Sequence, residues 1–225
     1  MTIRRQLIKF LGACTIASTS MMASLAFAAD MAPDAMIKLV SNDVMDAIKK
    51  DKSIVEGDLT KISQLVDSKV IVHVNFKRMT SSAVGPAWNK TTPEQQTQLQ
   101  NEFKTLLIRI YAGALSQVSD QTIAIKPVRM SAEDQEIVVK TEVRGRGDPI
   151  PLEYRLEKTP GTGLGWKIYN FNVNGIWMME TYRKAEKIYA SNGFTTAQSY
   201  ETTLEDIRNM RQAVDRNVIS LDLIA

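Results

Sequence analysis

Residues Leu99 to Ile125 read LQNEFKTLLIRIYAGALSQVSDQTIAI, and within them the hydrophobic period changes. Leu99, Phe103, Leu106, Leu107, Ile110, Tyr111, Ala114, Leu115 and Val118 are spaced by 4, 3, 1, 3, 1, 3, 1 and 3. That is a wide apolar stripe along a helix of about five turns. Thr92 is placed to cap this helix, Pro93 to occupy its first position, and Gln95 to close a capping box. After Gln121 the period falls to two, with Ile123 and Ile125 alternating with polar neighbours before Pro127. A long amphipathic helix therefore delivers the chain into a sheet.

Upstream of the switch the pattern is helical. Pro33 can open a helix carrying Met36, Leu39, Val40, Val44, Ala47 and Ile48 at helical spacing. A second starts near Asp58 with Ile62, Leu65, Val66 and Val70 on one face, and a short third contains Phe76, Met79 and Val84, stopped by Gly85-Pro86. Downstream, Ile137, Val138, Val139 and Val143 form a strand closed by Gly145 to Pro149. Ile150, Leu152, Tyr154 and Leu156 then alternate with Pro151, Glu153, Arg155 and Glu157, the signature of a strand dry on one face and wet on the other. The glycine-rich turn Gly161 to Gly165 leads into a fourth strand, Trp166 to Val173, whose apolar phase slips: Trp166 and Ile168 fall on one face, Tyr169, Phe171 and Val173 on the other. Either a bulge re-aims these side chains or both faces are covered. Helix is expected again after Gly175, through Ile176, Met178, Met179, Tyr182, Ala185 and Tyr189 to a stop at Asn192-Gly193. A last helix from about Thr202 carries Leu204, Ile207, Val214 and Val218. Helices, then about four strands with short connections, then helices imply an α+β fold, with helices packed on one face of a curved antiparallel sheet.

The first 28 residues read as an export signal. Arg4, Arg5 and Lys9 precede an apolar run from Phe10 to Ala28, which ends Ala26-Phe27-Ala28 with small residues where a signal peptidase reads. Cleavage after Ala28 leaves one domain, residues 29–225. The run's glycine, serines and threonines make it a poor permanent span, and no second stretch is long enough to be one. The formal charge of +3 belongs to the leader: without its three cations the counts are 25 basic and 25 acidic. Neither a basic block nor an interleaved aromatic pattern remains to bind nucleic acid. The single cysteine, Cys14, lies in the leader, so the exported domain has no disulfide and no thiolate metal site.

Catalytic constellations are missing. His73 is the only histidine, which rules out two-histidine metal motifs, and it stands between Val72 and Val74 without an adjacent carboxylate to orient it. No nucleophile elbow or P-loop occurs, and Gly161 to Gly165 joins two strands instead of opening a helix that could hold a phosphate. Carboxylates are scattered over solvent faces, and Arg146-Gly147-Asp148 sits in a tight turn. The sequence therefore predicts no catalytic residues, no metal and no cofactor. What stands out is apolar: Trp166, Tyr169, Phe171, Ile176, Trp177, Met178, Met179 and Tyr182 cluster around the fourth strand. Methionine among aromatics suits either an ordinary core or an adaptable pocket.

The order of several segments resembles a known family. They are Phe76-Lys77-Arg78-Met79; Gly85-x-x-Trp88 followed by Thr92-Pro93-Glu94-Gln95-Gln96; Phe103-Lys104-x-Leu106-Leu107-x-Arg109-x-Tyr111-Ala112; Trp166-Lys167-Ile168-Tyr169-Asn170; Asn174-Gly175-Ile176; and Tyr182-Arg183. Together they resemble the toluene-tolerance (MlaC) family, the periplasmic phospholipid carriers of the maintenance-of-lipid-asymmetry pathway. Asn170, Asn174 and Trp177 depart from that family's usual residues. The resemblance implies a cone-like α+β fold with an apolar cavity between sheet and helices. It also implies a phospholipid ligand, and as partners an outer-membrane lipoprotein–porin complex and an inner-membrane ABC-type lipid transporter complex. The lipid-binding wall is expected from Trp88, Phe103, Leu106, Leu107, Ile110, Tyr111, Leu152, Tyr154, Tyr169, Phe171, Val173, Ile176, Trp177 and Met178, with Trp177 or Met178 at the cavity mouth. A hopanoid or other lipid is an alternative ligand. An isomerase or dehydratase on the same cone would instead need a buried acid, histidine or tyrosine poised in the cavity, and a scaffold would have a filled core.

Overall fold

The computed structural model describes residues 30–215 apart from 116, 119 and 192–199. The expected leader, its expected cut before Ala29 and the Asn192-Gly193 stop lie outside the described residues. Helix α1 spans Pro33–Lys50, opened by its proline; α2 is Lys52–Val55, capped by the Asp51 carboxylate on the Ser53 N–H. Asp58 caps α3, Leu59–Leu65, by accepting from the Thr60 and Lys61 N–H groups. The chain then widens into a π-helical turn, Val66–Val70, and tightens into a 3₁₀ turn, Ile71–His73. Thus the second expected helix is regular only as far as Leu65. Asn75 caps α4, Phe76–Val84, which ends at Gly85 with φ +73°, and a 3₁₀ turn follows over Gly85–Lys90. Helix α5 covers Pro93–Leu115 and has the reciprocal box that the sequence predicts. The Thr92 hydroxyl accepts from the Gln95 N–H at 3.3 Å, and the Gln95 side-chain oxygen accepts from the Thr92 N–H at 2.9 Å.

Five strands follow in an antiparallel meander with order β1-β2-β3-β4-β5: Thr122–Ile125, Glu136–Arg144, Ile150–Lys158, Trp166–Val173 and Ile176–Trp177. The fifth corrects the expectation of about four. Asn174 and Gly175 both have positive φ, +51° and +87°, which makes them the centre of a two-residue hairpin whose twist matches the flanking strands. Ile176 and Trp177 consequently pair with Val173 and Asn172, and helix resumes only at Met178, as α6, Met178–Ser191. The last described element is α7, Tyr200–Asp215.

The slipped phase of β4 is a bulge. Arg155 faces Asn170 and Leu156 faces Ile168, so Tyr169 has no partner across β3. One surplus residue puts Ile168 and, three positions on, Phe171 on the same face of the sheet, opposite Leu156 and Tyr154. Beside the bulge the edge of β4 is covered by Val74 and Asn75. The Asn75 N–H donates to the Ile168 carbonyl at 2.8 Å, and Val74 bridges to Ile168 in parallel.

Apolar burial is split in two. The larger cluster joins Met36 and Ile37 of α1, Leu99, Phe103, Leu106 and Ile110 of α5, Val139, Leu156 and Trp166 of the sheet, Met178, Met179 and Tyr182 of α6, and Leu204 and Ile207 of α7. A smaller one gathers Ile48, Ile54, Ile62, Leu65 and Ala112. Each large aliphatic, methionine or phenylalanine side chain among them contributes about 1.5–3 kcal/mol by leaving water. Among the described residues, no helix is long and apolar enough to cross a membrane.

Candidate functional site: an apolar cavity

Between the two clusters the side chains do not meet, and a cavity of about 250 Å³ remains. The helical side is supplied by Val44 of α1, Ile62 and Leu65 of α3, Val66 and Val70 of the π turn, and Ile71 and Val74 beyond it. Phe76 and Met79 of α4 also line it. Helix α5 gives Lys104, Leu107, Ile108, Tyr111 and Leu115, and the sheet gives Tyr154, Ile168 and Phe171. The wall follows from the local folding. Successive turns of α5 place Leu107 and Tyr111 side by side, the bulge turns both Ile168 and Phe171 inward, and the π and 3₁₀ turns keep four β-branched residues facing one way.

Polar atoms on this wall are few and mostly satisfied. The Tyr111 hydroxyl donates to the Met178 sulfur at 2.8 Å, while its ring packs edge-on against Phe171 with centroids 5.7 Å apart. Burial pushes the Tyr111 phenol up to about 12, against a weaker opposing influence of the nearby Tyr182 hydroxyl, which is buried without a hydrogen-bond partner among the described residues. Tyr154 is likewise raised by burial, partly offset by its hydrogen bond with Thr141. Burial also lifts Tyr182 well above its ordinary value, helped by neighbouring Tyr111. All three phenols are neutral at physiological pH. Lys104 lays its stem along the wall and pairs its ammonium with Asp67 at 2.7 Å. His73 is outside the wall, and burial and the Lys167 ammonium lower its pKa. Among the described residues, no group of histidine and carboxylate side chains could hold a metal. Such a wall can sequester apolar chains, but it presents no acid–base pair to a reacting bond.

Of the fourteen residues expected to touch lipid, Leu107, Tyr111, Tyr154 and Phe171 line this cavity. Trp88, Phe103, Leu106, Ile110 and Met178 are instead buried in the solid larger cluster. Leu152, Val173 and Ile176 lie further along the sheet, the latter two packed against that cluster. Tyr169, the bulged residue, reaches the outer face, where the Arg78 guanidinium lies 3.5 Å from its ring centre and its hydroxyl donates to Glu136. Trp177 stacks under Arg155, 3.8 Å away, and Arg155 also pairs with Glu180. Met178 is 1% exposed, so neither it nor Trp177 stands at the mouth of this cavity. The hairpin at Asn174-Gly175 is the reason, because it moves the strand-to-helix junction two residues on. The residues that sequence reasoning passed over, Val66, Val70, Ile71 and Val74 above all, had a visible signal. Val66 and Val70 continue the helical apolar face of Ile62 and Leu65, and Val70, Ile71, Val72 and Val74 concentrate β-branched residues that a helix holds poorly.

The MlaC protein family's sequence model matches residues 38–197. The chain belongs to the MlaC family. This MlaC-family chain is 27% identical over 151 residues to the toluene tolerance protein ttg2D of Pseudomonas putida. That match covers 67% of the chain but only 64% of the relative, a little under two thirds of its length. It is 23% identical over 177 residues to the intermembrane phospholipid transport system binding protein MlaC of Haemophilus influenzae, covering 78% of the chain and 82% of the relative. A solved structure of a phospholipid-binding protein from Ralstonia solanacearum, in complex with a phospholipid, superimposes with a TM-score of 0.73. It is 39% identical, over 81% of this chain and 98% of that one.

Proposed function

We propose that this protein is a periplasmic phospholipid carrier. It takes a diacyl lipid into the cavity tails first and moves it between an outer-membrane lipoprotein–porin complex and an inner-membrane ABC-type transporter complex. The observation that carries this reading is the cavity wall, apolar on helix and sheet sides alike with a single charge at its edge. The Ralstonia neighbour's bound phospholipid and the transport role in the Haemophilus relative's name support it. A phospholipid exposes on the order of 30 methylenes, and at ~0.8 kcal/mol each their hydration would cost more than ~20 kcal/mol. A shuttle must therefore enclose the tails, while the headgroup can stay in water. Moving tails from bilayer to cavity exchanges one apolar medium for another, so direction is set by the partner complexes.

The cavity is slightly smaller than the ~300–1,000 Å³ usual for small-molecule sites. Two tails therefore require a wall that yields, and the π and 3₁₀ turns between α3 and α4 are suited to it because their hydrogen bonds are the least regular of the wall. Denaturing extraction of protein purified without added ligand, followed by mass spectrometry, should find about one diacyl phospholipid per chain. Repeatedly lipid-free folded protein that also fails to accept lipid from donor vesicles would overturn the proposal.

A further inference from the structure

Among the described residues, Lys104 is the only charged one on the cavity wall. Its neighbours there, Leu107, Ile108 and Tyr111, would make an uninterrupted apolar surface without it, and its long stem continues that surface while the ammonium leaves it. The ammonium meets Asp67 Oδ1 at 2.7 Å, and Asp67 lies on the π turn between two further wall residues, Val66 and Val70. The side chains are 27% and 49% exposed, so the pair stands where the apolar wall gives way to water. A second bridge between the π turn and a helix, Lys69 to Asp43, has neither partner on the wall. Among the described residues that line the cavity, the Lys104 side chain is the one whose charged end stands at the boundary with solvent.

We infer that Lys104 is the phosphate-binding residue of the cavity, its ammonium passing from the Asp67 carboxylate to the phosphodiester of an entering lipid. The inference rests on the carrier reading above and adds the polar end of the ligand to it. A carboxylate and a phosphodiester are both singly charged oxyanions that accept from an ammonium, so one ion pair replaces another and the net gain stays within the worth of one exposed ion pair, a few-fold in retention. The tails supply affinity, and Lys104 supplies orientation, holding the phosphate at the rim with the tails inward. With one cation and no fork of donors, the site reads the phosphate and not the alcohol esterified to it. Asp67 competes for the same ammonium, which keeps the headgroup easy to release.

The test uses full-length exported protein stripped of lipid. It is offered donor vesicles containing phosphatidylglycerol, phosphatidylethanolamine and diacylglycerol with identical acyl chains, and the retained lipids are counted by mass spectrometry. Wild-type protein should retain both phospholipids in preference to diacylglycerol. Lys104→Gln should reduce that ratio by about two- to fivefold, the scale of one exposed ion pair. Lys104→Arg should restore it, and Asp67→Asn should raise it. Inorganic phosphate alone, titrated by calorimetry, should give no heat, because without tails nothing holds the anion. An unchanged ratio in Lys104→Gln overturns the inference and leaves the carrier reading standing. If wild-type protein retains none of the three lipids, the carrier reading falls and takes this inference with it.

Discussion

The hydroxyl of Tyr111 and the sulfur of Met178, 2.8 Å apart, join the cavity wall of α5 to the first residue of α6. Because burial raises the Tyr111 phenol to about 12, the folded protein keeps a proton there that the unfolded chain gives up near pH 10. The resulting stability is fully present below pH 10 and is lost as pH rises toward 12, an amount on the order of 2–3 kcal/mol. Thermal melts between pH 9 and 12 should show a falling midpoint, and Tyr111→Phe should flatten the fall. Since sulfur is a weak acceptor, the same substitution should cost less than about 1 kcal/mol at neutral pH.

Leu106 and Leu107 are adjacent but have different surroundings. Leu106 is 0% exposed inside the larger cluster, whereas Leu107 faces the cavity. Leu106→Ala should destabilise by about 2–5 kcal/mol in urea unfolding, as buried leucines do. Leu107→Ala removes contacts on one side only, so its cost in lipid-free protein should be distinctly smaller. Equal costs would mean that the cavity is filled by side chains.

A charge on the wall has no partner among lipid tails. Leu107→Asp or Phe171→Asp should sharply lower the lipid that co-purifies, with mass spectrometry of extracted lipid as the measure, because an unpaired carboxylate among apolar atoms costs several kcal/mol to bury. Thr97→Asp, on the exposed side of α5, should leave it unchanged.

Intact mass of protein recovered from the periplasm should correspond to a chain beginning at Ala29. A species retaining Cys14 with an attached lipid would place the protein on a membrane.

Most of the architecture is legible from spacing alone: the Thr92 box, the stripe on α5 and the strand from Ile150 all stand where the sequence puts them, although Ile150 is 44% exposed and only Leu156 of that strand's apolar set is fully buried. Two features were present but ambiguous. Asn174-Gly175 is a hairpin signal, yet Ile176, Met178, Met179 and Tyr182 also fit a helical period, and two strand residues are too few to break it. The phase slip in β4 is visible, but only the partner strand shows that Tyr169 is the surplus residue. The cavity itself was least legible. Ile62, Leu65, Val66 and Val70 share an apolar face by spacing, but whether such a face is pressed against side chains or borders a void depends on distances between elements.

Tyr169 also bears on how this chain can vary by descent. Its side chain points away from the cavity, so replacements there leave the wall untouched and are set by the outer stack with Arg78. Losing the position altogether is another matter. A one-residue deletion would shorten the strand back into simple alternation and rotate one of Ile168 and Phe171 out of the wall. Among functioning relatives, the number of residues between these two should therefore be held more tightly than the identity of the one that bulges.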